Sequence, residues 1–249
     1  MKQAKYINGI QFDNKLDKNS YLCKLPIIKY LANNGELSFS SNVTFFVGEN
    51  GTGKSTLLEA IAVAYGFNPE GGSKNFNFST NATHSELFEH ITVSKNGYAK
   101  DGFFLRAESL YNVATNIDSL DREPSPAPRI IDSYGGVSLH NQSHGESFLS
   151  IVQKRFFGKG LYILDEPEAA LSPMRILTLM AEINELLKKD SQFIIATHSP
   201  ILITFPGAEI FEFSKDGINK VNYAETEHYI VTKSFLDNPT KMLHYLLND

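Results

Sequence analysis

The sequence holds a single cysteine, Cys23, among 249 residues. That excludes an internal disulfide and any metal site built on a cysteine cluster, and it fits a reducing cytosol. Long apolar runs are missing as well. The stretches FIIA and ILITF are interrupted by His198, Ser199 and Pro200, far short of the roughly 18 apolar residues a membrane span requires, so no bilayer crossing is expected. The opening MKQAKYINGIQFDNK lacks the uninterrupted apolar core of a secretory signal, and a cytoplasmic location is the expectation. There is no basic excess: 23 Lys and Arg face 28 Asp and Glu, a net charge of −5. This argues against a uniformly basic nucleic-acid binder and leaves a local basic patch open. Internal repeats and sustained heptads are absent. With 42% apolar and 20% charged residues, what remains is an ordinary globular composition, long enough to bury a substantial core.

Strands and helices alternate along the chain. VTFFVG (43–48) reads as a buried strand, and the helix after it places Leu57, Leu58, Ile61, Ala62 and Tyr65 on one face. GGSKNFNFSTNAT (71–83) reads as a polar surface loop. FEHITVS and GFFLRAES, separated by an Asn-Gly turn signal, are expected to pair as an antiparallel hairpin attached to the main sheet. A helix near SLYNVATNIDSL precedes the proline-rich connector DREPSPAPR, and HGESFLSIVQKRFF reads as a further helix. GLYILDEP and QFIIATH are buried parallel strands around a helix with Ser172 as expected N-cap and Pro173 at its first position. AEIFEFSKDGINKVNYAE reads as a hairpin about Asp216-Gly217, and MLHYLL as a closing helix. The pattern predicts an α/β fold, a mainly parallel sheet flanked by helices with an antiparallel portion.

GENGTGKST (48–56) carries the chemistry. It matches G-x4-G-K-[ST] between a strand and a helix, and the four fixed positions arise by chance in roughly one chain in a hundred of this length. Gly48, Gly51 and Gly53 let the backbone curl so that the N–H groups from Asn50 to Thr56 face phosphates. Lys54 reaches the β and γ phosphates, and Ser55 can ligate Mg2+. Asp165, 111 residues beyond Lys54, ends a buried strand where it can hold the metal, and the adjacent Glu166 can orient or deprotonate water. His198 ends another buried strand, where its imidazole could bond the γ-phosphate.

With these residues the chain resembles the ABC-type P-loop ATPases, and more closely their soluble RecF/SMC-like branch. FVGENGTGKSTLLEAIA, LYILDEPEAAL and IIATHSP carry the resemblance from Val43 to about Phe205. GFFLRAES, SHGESF and DEPEAALSP look like a family of short bacterial predicted ATPases. The resemblance implies one ABC-type ATPase domain over residues 1–249, with an insert at about 84–150 that carries the hairpin, the connector and a small helical signature subdomain. Ser143 and Gly145, 22 and 20 residues before Asp165, fall on the signature's serine and second glycine, and Glu146 on its Gln or Glu position. In such ATPases this motif caps the γ-phosphate held by the other subunit, which implies a head-to-tail homodimer hydrolysing two ATP molecules with Mg2+. Ser143 followed by Glu146 is equally a capping-box pattern, and both readings can hold together. His144 stands where the signature has its first glycine.

There are departures. No glutamine lies between Lys54 and Gln142, so the family's Q-loop glutamine is missing; Glu108 is the candidate substitute and a further candidate Mg2+ ligand, although Arg106 and Glu108 could equally form a surface ion pair. Ser172 replaces the aspartate that usually communicates across the dimer. No aromatic is assigned to adenine, since Tyr30 reads as core or surface. The alternatives to an ATPase acting on DNA or a partner protein are a nucleotide-gated protein-binding switch and, less favoured, a transporter energy subunit.

Overall fold

Four strands of the chain are buried along nearly their whole length, and such strands need cover on both faces. The computed structural model describes residues 5–13, 15–74, 85–122, 126 and 128–247. In chain order the elements are β1 (Ile7–Phe12), α1 (Pro26–Asn34), β2 (Glu36–Ser38), β3 (Val43–Gly48), α2 (Lys54–Tyr65), β4 (Ile91–Lys95), β5 (Asp101–Arg106), α3 (Leu110–Leu120), α4 (His144–Arg155), β6 (Gly160–Asp165), α5 (Pro173–Leu187), β7 (Gln192–Ala196), β8 (Glu209–Ser214), β9 (Gly217–Val221), α6 (Glu227–Asp237) and α7 (Pro239–Leu247). The main sheet has the order β5-β6-β7-β3-β8-β9, parallel except for β9, which turns back on β8 as expected. A second, three-stranded antiparallel sheet has the order β2-β1-β4.

Side chains alternate across the main sheet and divide the core in two. Phe45, Phe103, Tyr162, Leu164, Phe193 and Ile195 face α3, α4 and α5. Phe46, Phe104, Ile163, Ile194, Phe211 and Phe213 face α1, α2 and the small sheet. The expected face of α2 is buried as a whole. Along α5, Ile176, Leu179, Ile183 and Leu186 are buried, with Met180 and Leu187 packed against them. Pro173 opens that helix as expected, but Ser172 caps it without a side-chain hydrogen bond. Tyr30, on α1, packs against the second core.

The hairpin expected from FEHITVS and GFFLRAES does not form. Here β4 pairs antiparallel with β1 in the small sheet, whereas β5 pairs parallel with β6 and edges the main sheet. The burial patterns give the reason. Ile91 and Val93 of β4 are buried, with the exposed Thr92 between them and Ser94 and Lys95 exposed after them, a strand with one wet face. Gly102, Phe103, Phe104 and Leu105 of β5 are all buried, a strand that must be covered on both sides. Two such strands cannot share one environment, and the Asn-Gly turn between them joins different sheets. The polar loop expected at 71–83 falls largely on residues 75–84, and part of the proline-rich connector on 123–125 and 127; these lie outside the described residues.

Gln192 joins the two sheets. Fully buried at the start of β7, it accepts from the backbone N–H of Tyr6 (2.7 Å) and Ile7 (2.9 Å) through Oε1 and donates through Nε2 to the Ile7 carbonyl (2.8 Å). Its replacement by leucine would strand two donors and one acceptor away from water. Gln192→Leu is expected to lower the unfolding free energy by about 3 kcal/mol in denaturant titration, with far-ultraviolet circular dichroism retained.

Candidate phosphate-loop site

The carboxyl ends of β3, β5, β6 and β7 lie side by side, the place where an open α/β sheet leaves a crevice. β7 stands between β3 and β6, so the phosphate-loop strand and the Asp165 strand are not neighbours, and the chain after β7 carries His198 between them. A cleft of about 840 Å³ opens there, lined by Glu49, Asn50, Gly51, Gly53, Lys54, Ser55, Thr56, Glu108, Glu166 and His198 together with Leu25 and His228.

The loop's glycines are required by its path. Gly48 has φ +129°, and a β-carbon there would collide with the Phe213 carbonyl oxygen of β8. Gly53 has φ +98°, and a β-carbon would run into Ile27 of α1. Both conformations lie in the left-handed region that side chains avoid. Lys54 begins α2, is 4% exposed and gives two of its N–H groups to the carbonyls of Gly48 (2.7 Å) and Glu49 (2.8 Å). Burial pushes its pKa down, and the carboxylates of Glu166, Asp165 and Glu168 oppose that shift. Ser55 Oγ donates to Asp165 Oδ1 at 3.0 Å, which ties α2 to the end of β6.

Asp165 is buried, and burial raises its pKa to about 6. Arg106, at the end of β5, opposes that rise: its Nε lies 3.4 Å from Asp165 Oδ2 while its Nη1 contacts Glu59 Oε2 of α2 at 2.6 Å. Arg106 therefore does not form a surface pair with Glu108, as one reading of the sequence allowed. It braces Asp165, and Glu108 faces the cleft. Glu166 sits at φ +48°, ψ +55°, a strained conformation for a side-chain-bearing residue, with its N–H bonded to the Ala196 carbonyl at 3.0 Å. The side chain is turned outward, 37% exposed, with Oε1 3.6 Å from His198 Nε2.

Sequence reasoning missed Glu168 and His228. The buried Glu168 carboxylate accepts from Thr197 Oγ1 (2.7 Å) and from the His198 backbone N–H, so the turn after β6 holds the turn after β7. A third acid closely following Asp165 and Glu166 was a readable hint. His228 comes from α6, 30 residues past His198, and no local pattern marks it.

Ser143, Gly145 and Glu146 are not among the residues lining this cleft. They open α4 as a complete capping box: Ser143 Oγ accepts from the Glu146 N–H (3.4 Å), and Glu146 Oε2 accepts from the Ser143 N–H (2.9 Å) and hydroxyl (2.6 Å). Those bonds, with Arg175 nearby, hold the exposed Glu146 carboxyl below its usual range. Arg175 of α5 lies across the cap, Nη1 3.3 Å from Ser143 Oγ and Nη2 3.3 Å from Glu146 Oε1. A β-carbon on Gly145 would strike both that guanidinium and the Ala170 carbonyl, so glycine is needed here.

The chain is similar to several known proteins. Over 97 residues, 39% of the chain, it is 32% identical to structural maintenance of chromosomes protein 6 of Takifugu rubripes, and over 198 residues, 72% of the chain, 27% identical to the ribose import ATP-binding protein RbsA of Jannaschia sp. (strain CCS1). The chain spans 8% and 37% of the lengths of these two relatives. Among solved structures, the ATP-binding cassette MJ1267 of an ABC transporter superposes with TM-score 0.53 at 15% identity, covering 97% of this chain and 99% of that one. CbiO1 from Clostridium perfringens, part of an ABC transporter complex, gives 0.50 at 16% identity over the same shares. These likenesses relate the chain to the ABC-type P-loop ATPases and their SMC/RecF branch. Residues 27–222 match the AAA domain family AAA_23, to which the chain belongs.

The raised pKa of Asp165 has a stability consequence. Its carboxyl binds protons more tightly folded than unfolded, so its contribution is fully present below 3.8 and is lost as pH rises through about 6. Asp165→Asn is therefore expected to match wild type near pH 4 and to exceed it by about 2–3 kcal/mol at pH 7 in the absence of nucleotide, measured by denaturant titration at both pH values.

Proposed function

We propose that the protein is a Mg2+-dependent ATP hydrolase whose two sites are completed across a head-to-tail dimer. The convergence of Lys54, Ser55, Glu166 and His198 on one cleft, with Asp165 hydrogen-bonded to Ser55 beneath it, carries this reading. Backbone N–H groups of Gly51 to Thr56, at the positive end of α2, would receive the phosphates, with Gly48 and Asn50 shaping the loop and Lys54 adding its charge. Ser55 Oγ and Asp165 Oδ1 are hard oxygen donors of the kind Mg2+ takes, Glu108 is a further candidate, and the metal when bound neutralises charge on the transferring phosphoryl group. Glu166 would orient the attacking water and accept its proton, and His198 would donate to the γ-phosphate. The left-handed backbone at Glu166 supports its role, because strain of this kind gathers where a side chain is aimed for chemistry.

Ser143 and Gly145 would serve the partner copy's nucleotide, since they lie outside the lining of their own chain's cleft; Ser143 is exposed at the start of α4, and the buried Gly145 lets that turn pack under Arg175. Glu146 sets the Ser143 hydroxyl and backbone. The work that hydrolysis drives, on DNA or on a protein, would be done by the dimer. A nucleotide-gated protein switch is the second reading. It is favoured by α6 and α7, which bury no residue and expose Ile230, Val231, Leu236, Leu243, Tyr245, Leu246 and Leu247. Turnover raised by one protein and indifferent to DNA would support the switch; turnover raised by DNA, with binding that falls steeply with salt, would support a nucleic-acid role.

Glu166→Gln is expected to reduce ATP turnover at least 10²-fold, by rough analogy with lost general bases, while ATP binding persists and a dimer accumulates. Unaltered phosphate release in that variant would remove Glu166 from the chemistry. Ser143→Arg is expected to abolish ATP-dependent dimerisation in light scattering while each monomer binds ATP as before. Equal dimerisation would reduce the motif to a helix cap.

A further inference from the structure

His228 lines the phosphate-loop cleft although it lies beyond the family match, which ends at residue 222. It is the second residue of α6, a helix without a buried side chain. Its Nε2 is 2.8 Å from Nδ1 of His198, a hydrogen bond with one proton between two ring nitrogens. His198 Nε2 and His228 Nδ1, the outer atoms of the pair, are both shut off from solvent and have no hydrogen-bond partner among the described residues.

Two neutral arrangements satisfy the central bond. In the first, His228 donates from Nε2, His198 accepts at Nδ1, and the proton of His198 sits on Nε2. In the second, His198 donates from Nδ1, its Nε2 presents a lone pair, and the proton of His228 sits on Nδ1. Glu166 Oε1, 3.6 Å from His198 Nε2, separates them. A carboxylate attracts an N–H and repels a lone pair. Each arrangement leaves one outer N–H buried without a hydrogen bond among the described residues, but in the first that N–H, on His198 Nε2, faces the Glu166 carboxylate, whereas on His228 Nδ1 in the second no carboxylate of the described residues pairs with it.

We propose that His228 is a positioning residue of the site: by donating from Nε2 to His198 Nδ1 it holds His198 as an Nε2–H donor facing an anionic oxygen of the bound nucleotide. The inference rests on the nucleotide reading above for the identity of that anion. Burial, reinforced by Lys54 and His228, pushes the His198 pKa down to about 4, so at neutral pH the His198 ring is neutral. The seat of α6 keeps the pair in register: its cap Thr226 is fully buried and donates to the Tyr223 carbonyl (2.7 Å), and Tyr229 packs on the main core. The donor state of His198 thereby depends on a helix some 30 residues away in sequence.

Nitrogen–proton correlation spectra of the 15N-histidine-labelled full chain report the tautomer directly, with His198→Gln assigning the signals. In wild type, His198 is expected to carry its proton on Nε2. His228→Phe, which keeps the ring and removes the donor, is expected to mix the tautomers and lower kcat for ATP about tenfold, with KM changed less than about twofold. His228→Gln, whose amide N–H reaches to a similar place, is expected to recover most of both. A wild-type proton on His198 Nδ1, or a Phe variant with unchanged tautomer and kcat, overturns the proposal. If wild type hydrolyses no ATP, the hydrolase reading fails, and the tautomer measurement still decides the role of His228.

Discussion

Ser55 Oγ donates to Asp165 Oδ1 at 3.0 Å across the end of β7, and this bond ties the phosphate-loop helix to a strand two places away in the sheet. It forms only because β3, β6 and β7 end together, each buried over its full length. Burial gives the strands their rigidity and gives Asp165 its cost, since a carboxylate at the end of such a strand is taken from water with few partners. Arg106 and Ser55 return part of that cost, which leaves the carboxyl with its raised pKa. The same wall accounts for Lys54, whose charge is buried against loop carbonyls and near three acids.

Around that centre several residues of the site are held by neighbours from other elements. Glu168 holds the backbone of His198, the Ala196 carbonyl holds the backbone of Glu166, and Glu59 holds Arg106. Such second contacts fix geometry within the low-dielectric crevice, where a misplaced dipole is expensive. His228 belongs with them. The pair it makes with His198 brings α6, whose outer side exposes Ile230, Val231 and Leu236, against the phosphate-loop cleft.

The start of α4 obeys the same economy with different parts. Its capping box uses the Ser143 hydroxyl as both donor to Glu146 and acceptor from the helix, and Arg175 lies over it. The histidine in QSHGESF occupies the first helical position, where many side chains are tolerated, whereas Gly145 has a steric reason to be glycine.

The linear sequence by itself determined the local elements and the loop chemistry. A strand, a glycine-rich turn and a helix start are set by short-range sterics and spacing, so Gly48 to Thr56, Asp165, Glu166 and the capping box of Ser143 with Glu146 were legible from order alone. Strand partners were not. An Asn-Gly turn suggested a hairpin for β4 and β5, and only the need to cover both faces of β5 sent them to different sheets. The Arg106 to Asp165 contact, the Gln192 clamp, Glu168 under His198 and the His228 pair were decided by tertiary structure, because each depends on which buried strands end side by side and which polar groups must then find partners away from water.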